Sequence, residues 1–344
     1  TIGKTPLLAL LGADSMTSEA TAAYMLWTVS CGSVPAILNV VLAYMVRSEG
    51  ASLHASIGTM SGCLLNIILD PILILPWGFD MGAEGAGLAT FISNCVACAY
   101  FFVLLYVRRK TTCVCIRPDK FCLQGAIVLG ICGVGIPAAI QNLLNVTGMT
   151  ILNNFTSVFG EDAVAAMGIT QKIYMVPMYI SMGISQGIMP LISYNYASGN
   201  HRRMKSTIVF AGGISVGFIT TAAISLFAGA DSVVRFFMDN ATVAGYGVQF
   251  MKGFCIGLPF LCMDFLAVGV FQALGYGKNA LVFAIMRKIV LEIPALYLLN
   301  YLFPLYGLAY AQAVAEFVLA ITAAVQLFLI FKRLGEKAEF IEDV

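Results

Sequence analysis

The sequence predicts an all-α protein that crosses a membrane many times, and three observations support that prediction. Of its 344 residues, 60% are hydrophobic and 11% are charged, and the mean hydropathy is +0.89. An ordinary soluble domain is about one quarter charged. The apolar residues fall in blocks long enough to cross a bilayer as helices, about 20 residues each. The loops between the blocks alternate in the sign of their charge.

Nine apolar blocks are long enough to span, and a shorter run at 5–12 precedes them. We expect that short run to be the end of a helix. The charged segment 108–120 is the longest polar linker and predicts a boundary between two domains. The nine predicted spans lie near 21–46, 52–76, 85–107, 128–156, 163–193, 206–229, 243–273, 280–303 and 307–331.

The charged loops predict the orientation of the chain in the membrane. By the positive-inside rule the basic loops, and with them the C-terminus, are expected in the cytoplasm. The acidic loops carry Asp14, Glu19, Asp70, Asp80, Glu84, Glu161, Asp162, Asp231 and Asp239, with Arg235 as their one base. The basic loops carry Arg47, Arg108, Arg109, Lys110, Arg117, Lys120, Arg202, Arg203, Lys205, Lys278, Lys332, Arg333 and Lys337.

The composition argues against several classes of protein. A net charge of +1 argues against a nucleic-acid partner. The two histidines, His54 and His201, lie near predicted cytoplasmic helix ends, and the sequence contains no zinc-protease motif. Cys113, Cys115 and Cys122 cluster in a polar loop, but their spacing fits no zinc template. We therefore expect that the protein is not an enzyme and that it has no metal site and no cofactor. We expect the lipid bilayer to be a partner.

One polar pair interrupts the second span. Asn66 and Asp70 are four residues apart, so that both side chains share one helix face. Pro71 follows and loosens the backbone hydrogen bonding. A carboxylate at the edge of hydrocarbon indicates either a functional group or a helix cap at the water interface.

Spans one to three resemble spans seven to nine. In each set a helix with an acid and a proline (Asp70-Pro71, Glu292-Ile-Pro294) leads into Gly-Leu-Ala, at 87–89 and 307–309. Parallel repeats of this kind are typical of transporters that handle substrate between two halves. Spans four to six then lack a partner, which predicts three further helices before residue 13, the run at 5–12 being the end of the last.

A set of glycine and proline patterns, in this order and spacing, resembles the multidrug and toxin extrusion (MATE) family. They lie at 6–13, 47–50, 66–71 with 85–90, 135–137, 183–190, and 194–197 with Arg203. The resemblance implies a two-lobe helical bundle, with nine full helices plus a stub of a twelve-helix fold. It also implies a secondary active antiporter that exports organic cations or drugs in exchange for H⁺ or Na⁺. The stretch 186–196 is most similar to the bacterial branch that includes staphylococcal-type exporters. The resemblance also implies a multi-pass protein of the bacterial inner membrane, and we expect it to be a monomer.

The resemblance also implies domain bounds. Residues 1–110 would form a partial N-lobe (the end of family helix 3 and helices 4–6), and 111–125 a cytoplasmic inter-lobe loop. Residues 126–334 would form the C-lobe, helices 7–12, and 335–344 a cytoplasmic tail.

The family's N-lobe cation site maps onto four residues. The resemblance implies that Asp70, Asn66, Thr90 and Asn39 form the cation-coupling site. The family's first-helix carboxylate has no counterpart in these 344 residues. The seventh family helix carries no carboxylate here either, its nearest polar residues being Gln141 and Asn145, so a sodium site in the C-lobe is not expected.

The C-lobe offers candidate substrate ligands. Asp264 lies in the middle of an apolar run, and an acid at that depth faces a cavity or a partner. We expect substrate binding by Asp264, Gln141, Asn145, Tyr179 and Gln186, although each amide could equally join two helices. Arg287, Glu292 and Glu316 are predicted to form a structural ion pair group.

One alternative function shares the fold superclass. A lipid-linked oligosaccharide flippase would favour a strongly basic central cavity. The sequence places little basic charge inside its helices, so drug export is the preferred hypothesis.

Overall fold

A computed structural model of the chain describes residues 18–115, 122, 124–238 and 240–342, with side chains described as far as residue 332. Every regular element in this part of the chain is helical, as the sequence predicts. The predicted stub at 5–12, the linker residues 116–121, Asp239 and the last two residues of the tail lie outside that description. The chain divides into two compact units, residues 1–122 and 123–344.

Unit 1 contains the first three predicted spans. Its helices are α1 (Ser18–Met25), a π-helical turn (Leu26–Cys31), α2 (Ser33–Ser48), α3 (Ser52–Ile74) and α4 (Gly82–Val107).

The first span is bent. Its two parts, Ser18–Cys31 and Ser33–Ser48, meet at an angle of 50°. Gly32 lies at the bend, where a Cβ would come within 2.4 Å of the Trp27 carbonyl oxygen. Irregular π turns and glycines are common causes of such kinks. Trp27 Nε1 also donates a hydrogen bond to Glu84 Oε1 at 3.1 Å, which ties the irregular turn to the start of α4.

Helices α3 and α4 approach closely through small residues. A Cβ on Gly62 would lie 3.1 Å from both Ala97 Cβ and the Ser93 carbonyl oxygen. Dispersion contacts at such short range hold membrane helices together, since lipid provides no hydrophobic driving force between them. Phe101 is fully buried beside Gly58. The core of unit 1 also contains Leu42, Ala43, Val46, Ala55, Cys98 and Leu105.

Unit 2 contains the remaining six predicted spans. It also includes a short amphipathic helix, Ala230–Phe237, that the sequence patterns did not predict. The helices are α5 (Gly125–Ser157), α6 (Glu161–Ala197), α7 (His201–Ala228), α8 (Ala230–Phe237), α9 (Ala241–Ala273), α10 (Gly277–Ile285), a second π-helical turn (Met286–Glu292), α11 (Ile293–Leu302) and α12 (Gly307–Glu342).

Helix α9 is the centre of unit 2. Of its most apolar 18-residue window, 78% is buried, against 6–33% for the other helices that qualify as spans. A helix that is apolar all round belongs in a core. The other helices direct large apolar side chains outward, such as Leu129 (75% exposed) and Tyr301 (84%). Apolar surface of that extent is compatible with lipid and not with water.

Seven of the nine predicted spans are single helices long and apolar enough to cross a membrane, and the bent pair in unit 1 makes an eighth. The predicted span 280–303 is continuously helical over 277–302 but contains the second π-helical turn. That turn carries Arg287, Lys288 and Glu292, so that this segment is the most highly charged of the nine.

Candidate functional site

The predicted polar pair on α3 is joined by a hydrogen bond. Asn66 Nδ2 donates to Asp70 Oδ1 at 3.3 Å, and both side chains are partly buried. Pro71 lacks the N–H that would bond to the preceding turn, so the backbone is weakened beside the carboxylate. Among the described residues no basic group lies within 4 Å of Asp70.

The other two predicted coupling residues belong to a second group on α2 and α4. Asn39 Nδ2 donates to Asn94 Oδ1 at 3.1 Å, and Asn94 Nδ2 donates to the Thr90 carbonyl oxygen at 3.0 Å. The Thr90 hydroxyl donates to the Ala86 carbonyl oxygen at 3.0 Å. Asn39 Oδ1 is buried and receives no hydrogen bond from the described residues, which leaves one acceptor available for a ligand.

Unit 2 holds five charged side chains that are nearly inaccessible. Asp264 on α9, Arg287, Lys288 and Glu292 on the second π-helical turn, and Glu316 on α12 are each at most 7% exposed. Isolated charges in such surroundings would be very unfavourable. Their burial therefore depends on how they are paired.

Arg287 lies between two carboxylates. Its Nη2 and Nε atoms are each 2.8 Å from Glu316 Oε1, and its Nη1 atom is 3.3 Å from Asp264 Oδ2. The guanidinium carbon also lies 5.3 Å from the centre of the Phe265 ring. The predicted pairing of Arg287 with Glu316 is confirmed. Asp264 Oδ1 and Glu316 Oε2 remain buried without a hydrogen bond from the described residues.

Within the predicted group of Arg287, Glu292 and Glu316, Glu292 takes Lys288 as its ion-pair partner, a base that the prediction did not include. Lys288 Nζ lies 2.8 Å from Glu292 Oε1 and 2.6 Å from Oε2, but only the contact with Oε1 has hydrogen-bond geometry. Side chains four residues apart lie on one side of the turn, and Arg287 is already held by Glu316 and Asp264. Gly148 on α5 leaves room for the lysine, since a Cβ there would lie 2.9 Å from Lys288 Cδ.

The five buried charges do not cancel. With three carboxylates and two basic groups, the cluster carries one formal negative charge when all are ionised. Basic charge does occur inside the helices, contrary to the sequence-based expectation, but carboxylates neutralise it. The cluster as a whole is therefore anionic.

A cavity of about 210 Å³ adjoins this cluster within unit 2. Arg287, Lys288 and Glu292 form its charged wall. Two hydrogen bonds fix polar groups of the lining, one from Gln312 Nε2 to the Tyr174 hydroxyl at 2.8 Å and one from Gln171 Nε2 to Asn153 at 3.1 Å. Apolar and flexible side chains complete the lining: Val146, Met149, Leu152, Met175, Met178, Met182, Phe254 and Phe265.

The predicted substrate ligands fall into two groups. Asn145 and Tyr179 line the cavity. Gln141 instead accepts a hydrogen bond from Gln272 Nε2 at 3.3 Å. Gln186 and Asp264 are not part of the lining, and Asp264 faces Arg287.

Sequence reasoning missed two residues. Lys288 was not singled out, although a lysine four residues before an acid inside an apolar block is a detectable signal. Asn94 was not singled out as the partner of Asn39, although it stands four residues after Thr90 on α4.

Comparison with known proteins gives consistent matches. Residues 137–298 match the family model described as MatE. The chain is 35% identical over 340 residues to the multidrug export protein MepA of Staphylococcus saprophyticus, covering 97% of this chain and 72% of that protein. It is 34% identical over 344 residues to the MepA of Staphylococcus aureus, covering 98% and 73%.

Solved structures show the same fold. A crystal structure of a MATE protein in complex with MaL6 superposes with a TM-score of 0.89 at 23% identity, over 97% of this chain and 74% of that one. The MATE transporter VcmN of Vibrio cholerae, in its bent form, gives a TM-score of 0.80 at 24% identity, over 97% and 74%.

Proposed function

Because this chain belongs to the MATE family of multi-pass membrane transporters, we propose that it exports organic cations and drugs in exchange for H⁺ or Na⁺ by alternating access. The observation that carries the proposal is the cavity of unit 2. Methionine and aromatic side chains of its wall surround the acid Glu292, which belongs to a buried cluster of five charges with an excess of one formal negative charge.

That combination suits amphiphilic cations of varied shape. Methionine is flexible and polarizable, so that a lining with Met149, Met175, Met178 and Met182 can adapt to different ring systems. Aromatic faces such as Tyr174 attract positive charge. The fixed acid Glu292 supplies a counter-charge in surroundings of low dielectric, where Coulomb attraction is stronger than in water.

The coupling ion is assigned to unit 1. Asp70 has an amide partner but no basic one among the described residues, so a proton or Na⁺ can neutralise it. The carboxylate oxygens of Asp70, which the Asn66 amide supports, are the ligand type that Na⁺ takes. Binding there would act beside Pro71, where the helix is weakest, and so favour one conformation over another.

The flippase alternative gains no support from the buried bases. Arg287 is neutralised by Asp264 and Glu316, and Lys288 by Glu292. An anionic lipid phosphate would have to displace these carboxylates, and the cluster would repel it.

Proteoliposomes test the proposal. The purified protein is reconstituted into liposomes, and the liposomes are loaded with ethidium. An H⁺ gradient or a Na⁺ gradient is then imposed across the membrane in separate runs. We expect ethidium movement that depends on at least one gradient and that stops when an ionophore dissipates it. A rate of ethidium movement that depends on neither gradient would overturn the antiport mechanism. Gradient-independent movement of a labelled lipid-linked sugar would favour the flippase.

A further inference from the structure

We propose that Lys288 is a built-in competitor for the carboxylate of the unit 2 cavity. In the empty cavity its ammonium occupies Glu292, and a substrate cation binds by displacing it. Lys288 is then a specificity-determining residue that sets how strongly a cation must bind. This inference rests on the proposed export of organic cations.

The geometry of the pair is that of a bound cation. The ammonium lies 2.6 and 2.8 Å from the two oxygens of Glu292, and both residues line the cavity. Because the lysine is carried by the same helical turn, it is present at a high effective concentration and needs no help from solution. A substrate cation therefore binds to Glu292 more weakly than it would if Lys288 were absent.

The pair is also arranged so that it can open. Only Glu292 Oε1 accepts a hydrogen bond from Lys288, and Oε2 receives none from the described residues. Oε2 is itself buried and lies 2.6 Å from the ammonium, so a substrate cation reaches this oxygen as the lysine moves aside. Amide side chains of Asn145 and Gln171 line the same cavity, and their carbonyl oxygens can accept the displaced ammonium.

Gly148 is part of the arrangement. Its missing side chain lets Lys288 lie against α5, and a Cβ there would come within 2.9 Å of Cδ and 3.0 Å of Nζ. These atoms belong to the flexible end of the lysine, so an alanine at 148 would move the ammonium rather than the backbone. Gly148→Ala thus weakens the competitor without changing any charge.

Ethidium binding to the purified protein in lipid nanodiscs tests this inference. Lys288→Met removes the competitor and should bind ethidium about tenfold more tightly, within the usual range of coupling between two ligands. Gly148→Ala should bind about two- to threefold more tightly. Lys252→Met is the matched control, since Lys252 lies over the Phe227 ring, 5.7 Å from its centre, and is not part of the cavity lining. Its affinity should equal that of the wild type.

A double variant separates competition from charge balance. Lys288→Met with Glu292→Gln leaves no unpaired charge, so a purely structural role of the pair predicts ethidium binding like the wild type. The proposal predicts that binding is lost, because the acid is gone. Removing Lys288 alone can unfold the protein by leaving Glu292 unpaired. In that case the ethidium affinity of Gly148→Ala tests the competitor role.

The outcomes are distinct from those of the proposed function. If the wild type exports ethidium and neither Lys288→Met nor Gly148→Ala binds it more tightly, the competitor role is overturned while export stands. If Gly148→Ala binds ethidium more weakly, the competitor role is overturned as well. A wild type that neither binds nor exports ethidium overturns both proposals.

Discussion

The two units contain the same local pattern with different chemistry. On α3, Asn66 stands four residues before Asp70, and a proline follows. On the second π-helical turn, Lys288 stands four residues before Glu292, and Pro294 follows two residues later. The partner of the acid is a neutral amide in unit 1 and an ammonium in unit 2.

This single difference separates two uses of an acid in a membrane. Asp70 is partly buried and has no positive partner in the described part of the chain, so under the proposed function its negative charge is neutralised by H⁺ or Na⁺ from solution. Glu292 is 4% exposed and already neutralised by its own helix. Unit 1 is therefore suited to take up a coupling ion, and unit 2 to bind a substrate cation in competition with Lys288.

The largest effect is expected on stability, from Arg287. Arg287→Met would leave Asp264 and Glu316 buried without their shared cation. Breaking a buried ion pair on one side typically costs about 3–5 kcal/mol, and we expect a large fall in the thermal midpoint in detergent. The exposed pair Asp231 and Arg235 provides the control, because Arg235→Met should cost less than about 1 kcal/mol. A midpoint for Arg287→Met equal to that of the control would contradict the pairing described for unit 2.

The second prediction transplants the unit 2 chemistry into unit 1. Asn66→Lys places an ammonium four residues before Asp70, as in the Lys288 and Glu292 pair. We expect the tethered cation to occupy Asp70 and to reduce gradient-driven ethidium export about tenfold or more. Export and the amount of folded protein in the membrane are measured together. Normal export would show that the identity of this partner does not distinguish the two units.

The third prediction concerns Asp264. Asp264→Asn removes one negative charge from the buried cluster next to the cavity, so that the formal charge of the cluster changes from −1 to zero. One charge at roughly 10 Å in an effective dielectric of about 20 is worth about 1.7 kcal/mol, and we expect ethidium affinity to fall about tenfold. Asp231→Asn, which removes an exposed acid of unit 2, should leave affinity unchanged. Equal affinities in the two variants would return Asp264 to a purely structural role.

The smallest effect is expected from removing the amide donor alone. Asn66→Leu deletes the 3.3 Å hydrogen bond to Asp70 but introduces no charge. A bond of this kind contributes about 0.5–1.5 kcal/mol, so the coupling ion should bind only a few-fold more weakly. The concentration of Na⁺ or H⁺ that gives half-maximal export measures this shift. A complete loss of coupling would mean that Asn66 does more than support the carboxylate.

Sequence patterns predicted the helices better than the pairing of their charges. Block length and hydropathy depend on each segment alone, so seven spans agreed closely with single helices and an eighth with a bent pair. Neither π-helical turn was predicted, because block length and hydropathy do not distinguish a π turn from an α-helical one. The segment 277–302 was correctly predicted to be helical although three charges interrupt its apolar block.

The candidate sites were predicted unevenly for a related reason. The bond between Asn66 and Asp70 follows from i,i+4 spacing within one helix, which the sequence displays directly. The contact of Asp264 with Arg287 joins residues on different helices, and no local pattern encodes which helix faces which. The same limit applies to Gln141, whose partner Gln272 lies 131 positions away.

The central claim is that Asp70 takes up the coupling ion, and one measurement tests it most directly. Asp70→Asn keeps the shape and hydrogen-bonding capacity of the side chain but cannot bind a proton and lacks the charge that holds Na⁺. Ethidium export is measured in proteoliposomes against an imposed ion gradient, with equal amounts of folded protein. The account predicts that gradient-driven export is lost while folding and membrane insertion remain close to wild type. Export at the wild-type rate would show that Asp70 only caps its helix at the membrane surface.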